Sequence, residues 1–207
     1  MRKRQDSASV RGMTGQAGLR ERKKEATRQA LHAALVRLAV EHGLENVTVE
    51  NVADAAQVSR RTFSNYFANK EEALLYNHQR RMQRLLELVA QRPQGEAAWT
   101  ALTRAAQEFA VELTEEKGWT SMVRLVNDNP ALLHTHFATY TAAEDAVADM
   151  LAPRLSQSQQ DGLWAQLVAA RFLAAVRIAT TRWLEQGDEP LSQVMNEALR
   201  LSVEPLM

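Results

Sequence analysis

The strongest indication of function in this chain is a pair of consecutive arginines, Arg60 and Arg61, at the start of a short amphipathic segment. The segment before them has apolar residues at the spacing of one helix face: Val49, Val52, Ala53 and Ala56. The segment after them forms a second face from Thr62, Phe63, Tyr66 and Phe67. Packing the second face on the first would leave both arginines pointing outward. That geometry places a helix in the DNA major groove, where an arginine donates two hydrogen bonds to guanine.

Helix start and stop signals surround this pair of segments. Thr48 and Ser59 are N-cap residue types, and Gln57 and Val58 break the pattern between the two helices. An earlier helix is predicted from Arg20 to His42, because Gly43 follows it as a C-terminal cap. Asn69 and Glu72 have the spacing of a capping box and predict the start of a fourth helix.

These residues resemble the TetR family of one-component regulators, from Arg20 to about Leu74. The matching features are the basic entry at 20–24, the Gly43 break, Val47–Val49, Val52-Ala53, Val58-Ser59, Thr62-Phe63, Tyr66-Phe67 and Lys70–Leu74. Ser64 departs from the pattern, since the family often has an aromatic residue there. The resemblance implies contacts of Thr48, Tyr66 and Lys70 with phosphates. The complete predicted DNA-binding set is Thr48, Ser59, Arg60, Arg61, Thr62, Ser64, Asn65, Tyr66 and Lys70. The alternative is a helical hairpin of some other all-α protein.

Charge is divided unevenly along the 207 residues. Residues 1–81 carry 15 Lys+Arg and 9 Asp+Glu, a net charge of +6, whereas residues 82–207 carry 10 and 16, a net charge of −6. This asymmetry suits a nucleic-acid reader joined to a domain that does not touch DNA. The chain has no cysteine, so disulfides are excluded. The sequence has no apolar run long enough for a membrane span and no signal-peptide pattern, so we expect a cytoplasmic protein with no membrane partner.

The sequence predicts an all-α protein in three parts. Residues 1–19 form a flexible basic tail, residues 20–75 a helix-turn-helix domain, and residues 76–207 an effector-binding and dimerisation domain. The tail is either an upstream extension, with Met13 as a second candidate start, or a basic arm that reaches phosphates or the minor groove. Beyond the loop at 92–95, Gly and Pro residues delimit five predicted helical blocks: 96–117, 119–128, 130–152, 156–187 and 190–203.

The segment from Trp119 to about Leu155 resembles the TetR subgroup whose second domain is called acyl-CoA-like ligand-binding, to which mycofactocin-associated regulators belong. The resemblance implies a fatty acyl-CoA or a similar amphipathic effector. The predicted effector-binding residues are Trp119, Met122, Leu125, His136, Phe137, Tyr140, Arg171 and Phe172. The apolar ones can equally be ordinary core. The polar candidates on these helices are Arg124, Asn127, His136, Arg171 and Arg177. An arginine in an apolar helix could hold a phosphate or a carboxylate, or it could simply pair with Glu144, Asp145 or Asp149. Arg124 or Arg171 is predicted to hold the head group.

A homodimer is also predicted, because helix-turn-helix proteins use two-fold symmetry to address palindromic operators in double-stranded DNA. In the TetR resemblance the last two helices form a four-helix dimer interface. The predicted interface residues are Val168, Phe172, Val176, Ala179, Val194 and Ala198. The alternative is that these residues are core within one chain.

No residue pattern predicts a metal site, a cofactor or a catalytic centre. His134 and His136 are two positions apart, so on a helix their side chains diverge. No Walker A loop, dinucleotide turn, nucleophile elbow or His-Glu-x-x-His helix occurs. The sequence therefore favours a ligand-responsive transcriptional regulator of the repressor type. The alternative from another class is an all-α small-molecule-binding protein or enzyme that does not bind DNA.

Overall fold

The computed structural model of the chain describes residues 7–115, 119–127, 129, 132–154 and 162–204. Throughout these residues the structure is α-helical with short 3-10 turns and no strand, which confirms the all-α prediction. The helices are α1 (Ser7–His42), α2 (Val49–Ala55), α3 (Arg60–Ser64), α4 (Lys70–Ala90), α5 (Ala98–Glu115), α6 (Trp119–Asn127), α7 (Leu133–Leu151), α8 (Gly162–Gln186) and α9 (Leu191–Leu201). The chain divides into two compact units, residues 1–76 and 77–207, one residue from the predicted boundary.

The start of α1 differs from the sequence prediction. The helix begins at Ser7, so residues 7–19 of the predicted flexible tail are helical. These residues contain no proline that would stop a helix extending backward from Arg20. Residues 7–19 have little apolar periodicity, so their pattern does not indicate this extension of the helix.

Local caps set the helix boundaries of the first unit. Gly43 follows α1 with φ of +82°, a left-handed conformation that glycine adopts without a steric penalty. Thr48 forms a reciprocal capping box with Asn51, and Ser59 Oγ accepts the Thr62 backbone N–H at 3.0 Å. Both predicted N-caps are therefore confirmed.

The turn between α2 and α3 contains a strained residue. Gln57 has φ of +56°, and among the described residues it alone is a non-glycine with positive φ. A side chain in the left-handed region costs about 1–2 kcal/mol, because Cβ approaches the following carbonyl oxygen. The packing of α2 against α3 must therefore offset this cost.

The predicted capping box at the start of α4 forms with one change. Asn69 Oδ1 accepts the Glu72 backbone N–H at 2.7 Å, as expected. The Glu72 carboxylate, however, accepts the backbone N–H of Ala68 at 2.6 Å, one residue earlier than the capping-box pattern predicts.

The second unit is a helical bundle with one apolar core. α8 packs against α7 and α9, and α5 packs against α9. The core holds large buried side chains from several helices, including Leu85, Leu102, Leu151, Phe172 and Leu199. Between α4 and α5, the Arg84 guanidinium donates to both oxygens of Glu112, at 2.8 and 2.6 Å. These hydrogen bonds hold the pKa of the Glu112 carboxyl below its usual range.

The predicted dimer residues of α8 face the core of their own chain. Val168, Phe172, Val176 and Ala179 are between 0 and 8% exposed, because the chain's own helices cover them. The opposite side of α8 carries Leu163, Leu167 and Ile178, each more than half exposed. The prediction failed because α8 is apolar on two sides, and spacing alone does not reveal which side faces the core. Val194 and Ala198 of α9 are only partly buried and remain predicted interface residues.

Among the described helices, α8 alone passes a length and hydropathy test for a membrane span, with a mean hydropathy of 1.3. However, 44% of that apolar window is buried inside the protein. Core helices of globular proteins pass the same test. Core packing therefore accounts for much of the apolar character of α8.

Candidate nucleic-acid interface and effector cavity

The helix pair α2 and α3 presents Arg60 and Arg61 to solvent because its apolar side chains are buried. Val52, Ala53 and Phe63 are at most 1% exposed. Arg60 and Arg61 are exposed at the first two positions of α3. The structure thus brings together the two apolar faces predicted from the sequence and leaves the arginines on the opposite side.

Arg60 is not isolated on this surface. Its Nε lies 3.0 Å from Oε1 of Glu50 on α2, and both side chains are more than half exposed. An exposed ion pair of this kind contributes about 0–1 kcal/mol, so Glu50 can orient Arg60 without immobilising it. The sequence analysis did not predict a role for Glu50. The only signal was that an acidic residue lies ten positions before Arg60.

Three predicted DNA-binding hydroxyls have local hydrogen bonds. Thr48 Oγ1 lies 2.7 Å from Asn51 Oδ1, to which it donates, and it also accepts the Asn51 backbone N–H. The hydroxyls of Ser59 and Thr62 are 2.9 Å apart. Ser64 and Asn65 are exposed at the C-terminal end of α3. Their contacts with DNA stay predictions.

Lys70 and Tyr66 also have partners within the first unit. Lys70 Nζ donates to the carbonyl oxygens of Leu44 and Val47, at 2.7 and 2.9 Å. It therefore ties the start of α4 to the turn before α2, and one of its three N–H bonds is left for a phosphate. The Arg28 guanidinium lies 5.5 Å from the centre of the Tyr66 ring, within the range of a cation–π contact. The predicted phosphate contacts of both residues are untested.

The second unit contains a cavity of about 70 Å³. Its apolar lining is Met82, Leu85, Phe109, Leu113, Trp119, Val123, Val126 and Val176. Its polar lining is His78, Arg81, Tyr140, Arg177, Thr180 and Thr181. Such a mixed lining, mostly apolar with a few convergent polar groups, is typical of a small-molecule site.

Aromatic contacts organise the cavity wall. Trp119 stacks on Trp183, with ring centres 5.7 Å apart and ring planes 7° from parallel. The Arg81 guanidinium lies 6.0 Å from the Trp119 ring centre, and the rings of His78 and Tyr140 are 5.7 Å apart. Burial raises the pKa of Tyr140 to about 12, although the positive charge of Arg177 acts in the opposite direction. Tyr140 is therefore a neutral phenol at physiological pH.

The predicted effector residues divide into three groups. Trp119 and Tyr140 line the cavity. Leu125, Arg171 and Phe172 do not belong to the described lining, and helix geometry explains two of the three. Val123 and Val126 occupy the cavity side of α6, which turns Leu125 elsewhere, and Arg171 is exposed on the other side of α8. The side chains of Met122, His136 and Phe137 lie outside the part that the structure describes.

Two of the three basic residues of the cavity, His78 and Arg81, were missed by sequence reasoning, whereas Arg177 was among its polar candidates. His78 and Arg81 belong to α4, and Arg177 belongs to α8, almost one hundred positions later. For His78 the available signal was its spacing, because it lies one turn before the apolar Met82 on the same face of α4.

A solvent-facing groove of about 960 Å³ lies between α8 and α9. Ala174, Ile178, Val194, Ala198 and Leu201 line it together with charged residues that include Arg171, Arg182 and Glu197. Ile178 and Leu201 are each 52% exposed. The groove combines the unburied side of α8 with the predicted interface side of α9.

Comparison with known proteins identifies the family. The sequence profile of the MftR C-terminal domain matches residues 96–207, more than half of the chain. The profile of bacterial regulatory proteins of the tetR family matches residues 31–76. The chain belongs to the TetR family. This TetR-family regulator is thus a transcriptional regulator and not an enzyme, so the alternative of an enzyme without DNA binding is wrong.

Individual relatives agree with this assignment. The chain is 29% identical to the HTH-type transcriptional regulator TcmR of Streptomyces glaucescens over 204 residues, covering 94% of this chain and 90% of the relative. FadR of Thermus thermophilus, a TetR-family transcriptional repressor solved with lauroyl-CoA, is 25% identical with a TM-score of 0.56, covering 87% and 95% of the two chains. FadR of Bacillus subtilis, solved with stearoyl-CoA, shares the fold at 19% identity and a TM-score of 0.62, covering 86% and 99%.

Proposed function

We propose that this TetR-family regulator is a cytoplasmic repressor that binds a palindromic operator as a homodimer and is released by an amphipathic small molecule, a fatty acyl-CoA in particular. The observation that carries the proposal is the cavity of the second unit, whose lining includes four residues of α4. The first residues of the same helix belong to the DNA-binding unit. An effector that displaces α4 therefore has a direct covalent route to the unit that reads DNA.

The groove between α8 and α9 supports the homodimer. Exposed apolar residues on adjacent helices are costly in water, and a second copy of the same groove would cover them. A dimer also supplies the second recognition helix that a palindromic operator requires, about 34–36 Å from the first.

The apolar lining and one relative support an acyl-CoA as the effector. Thermus thermophilus FadR, which is 25% identical to this chain, is a repressor that binds lauroyl-CoA. Each methylene group that an acyl chain buries contributes about 0.8 kcal/mol to binding. Several methylene groups against Met82, Leu85 and Leu113 would therefore provide substantial affinity.

The size of the cavity makes ligand entry a conformational event. At about 70 Å³ it is far smaller than a typical small-molecule site of roughly 300–1,000 Å³. An acyl chain must therefore separate the helices that surround the cavity. Such opening links effector binding to a second conformation, and a coupling free energy of about 1–3 kcal/mol is enough to regulate DNA binding.

The proposal is tested with the full-length protein and fluorescently labelled DNA from upstream of its own gene. Fluorescence anisotropy at fixed salt should show specific binding that Arg60→Ala and Arg61→Ala weaken. A chain-length series of acyl-CoAs should then release the wild-type protein, and the longer chains should be more effective than free CoA. If the protein binds the DNA specifically but no acyl-CoA releases it, the DNA-binding role is kept and acyl-CoAs are rejected as effectors. Absence of specific binding to any fragment of that region would reject autoregulation.

A further inference from the structure

The charge of the cavity lining is one-sided. His78, Arg81 and Arg177 are basic, and none of the described lining residues is acidic. We call these three residues the basic wall. A cationic group entering the cavity would meet like charge there, whereas an anionic group would be attracted.

Arg177 is the member of the basic wall that is available to a ligand from solvent. It is exposed on α8 and forms no ion pair with any described residue. It nevertheless lines the cavity together with Tyr140, on whose pKa its positive charge acts. Arg177 is therefore placed at the edge of the cavity rather than in the core.

The other side chains of the polar wall can complete an anion site. The Arg81 guanidinium is held near the Trp119 ring, which restricts its position. Tyr140 keeps its proton at physiological pH and can donate a hydrogen bond. Thr180 and Thr181 lie on the same segment of α8 as Arg177 and offer further donors.

We propose that the basic wall binds an anionic group of the effector, a carboxylate or a phosphate, whose attached apolar body packs on the apolar lining of the cavity. The proposal rests on the proposed function, because it specifies which effectors the cavity accepts. Arg177, a polar candidate from the sequence, and Arg81 take the head-group role that was predicted for Arg124 or Arg171. The anion has two sources, the carboxylate of a free fatty acid and the phosphates of an acyl-CoA.

Direct binding to the full-length protein without DNA tests the proposal. Three ligands share one alkyl chain and differ at the head: laurate, lauroyl-CoA and the neutral lauryl alcohol, each used below its micelle concentration. Isothermal titration calorimetry gives the Kd, and the fluorescence of Trp119 and Trp183 provides a second readout. We expect laurate, lauroyl-CoA or both to bind about ten- to a hundredfold more tightly than lauryl alcohol, the range that a charge-assisted hydrogen bond supplies.

Arg177→Gln is the decisive variant, since the side chain is exposed and its removal breaks no ion pair among the described residues. It should remove most of the preference for the anion while leaving the affinity for lauryl alcohol and the circular dichroism spectrum unchanged. Arg124→Gln is the matched control, because Arg124 is an exposed arginine of the same unit outside the described lining. It should behave as wild type.

The outcomes separate this inference from the proposed function. Preference for laurate alone identifies a carboxylate, and preference for lauroyl-CoA alone identifies the CoA phosphates. Equal binding of all three ligands overturns the basic wall as an anion site but keeps an amphipathic effector. An anion preference that survives Arg177→Gln also overturns the proposal. Failure of all three ligands to bind would reject both the inference and the acyl effector class.

Discussion

The two sides of α8 are expected to respond in different ways to the same substitution. Val168 is 8% exposed in the core, whereas Ile178 is 52% exposed and lines the α8–α9 groove. Both are β-branched residues inside one helix, so replacing either with glutamate changes the helix propensity similarly. Val168→Glu therefore tests burial in the core of one chain, and Ile178→Glu tests burial at an interface between two chains.

The core substitution should destabilise the folded chain strongly. Val168→Glu loses the burial of a valine, about 1.5 kcal/mol at the lower end of the usual range. It also leaves a buried carboxyl group without a designed partner, at a cost of about 1–3 kcal/mol. The sum, about 2.5–4.5 kcal/mol, is a large fraction of a typical free energy of unfolding of about 5–15 kcal/mol. For a chain of this size the melting temperature should fall by about 5–18 °C.

The groove substitution should act on assembly instead. Ile178→Glu should change the free energy of unfolding of one chain by at most about 0.5 kcal/mol, as surface changes usually do. In a two-fold dimer, however, the glutamate occurs twice in the interface, and about 3 kcal/mol lost there weakens dimerisation about a hundredfold.

Sedimentation velocity over a concentration series, combined with thermal circular dichroism, measures both effects. If folding depends on assembly, the wild-type melting temperature rises with protein concentration. Ile178→Glu should then lower it most at low concentration, and Val168→Glu should lower it at every concentration. If Ile178→Glu dimerises with the same affinity as the wild type, the groove is not the dimer interface. An unchanged melting temperature with Val168→Glu would refute the burial argument.

Four further predictions concern the two units separately. Lys70→Met should destabilise the first unit by about 2–4 kcal/mol, because two part-buried hydrogen bonds from a charged amine are lost. Backbone hydrogen exchange at residues 44–47 should therefore accelerate. If exchange is unchanged and the salt dependence of DNA binding instead falls by about one unit of slope, Lys70 contacts a phosphate. Gln57→Gly should relieve the positive φ, stabilise by about 1 kcal/mol and raise the melting temperature by about 2–4 °C, whereas Gln57→Val should lower it. Glu50→Gln should release Arg60 from its ion pair and increase the affinity for non-specific DNA more than the affinity for the operator. An unchanged ratio of these two affinities would show that Glu50 has no part in operator recognition. Because Arg84 depresses the pKa of Glu112 in the folded state, the stability it contributes is present above the ordinary pKa of 4.5 and is lost as pH falls through the folded value; acid unfolding of Glu112→Gln should therefore lack this component.

Most helix boundaries were predictable because the signals that set them are local. Thr48 and Ser59 cap the residues directly after them, and Gly43 ends α1 through its own φ. These interactions connect residues at most four positions apart, so their chemistry is readable from spacing alone. The early start of α1 was missed because no apolar periodicity marks it.

The orientation of α8 could not be read in the same way. A helix with one apolar side has one way to pack, but α8 offers both the buried row of Val168 and Phe172 and the exposed row of Leu167 and Ile178. Which row becomes core depends on how α7 and α9 pack against α8, and the spacing within α8 does not show this. The same limit applies to the cavity, since Arg81 and Arg177 come together only through the packing of α4 and α8.

The net charge of the second unit does not describe the environment of its cavity. Residues 77–207 carry 12 Lys+Arg and 16 Asp+Glu, a net charge of −4, which on its own disfavours anionic ligands. The described lining of the cavity has the opposite sign, because α4 and α8 direct His78, Arg81 and Arg177 toward it. Charges at the cavity act at short range through protein, whereas distant acidic groups on the surface are screened beyond about 8–10 Å at physiological salt. The composition of the lining, rather than that of the unit, should therefore decide which effectors this regulator accepts.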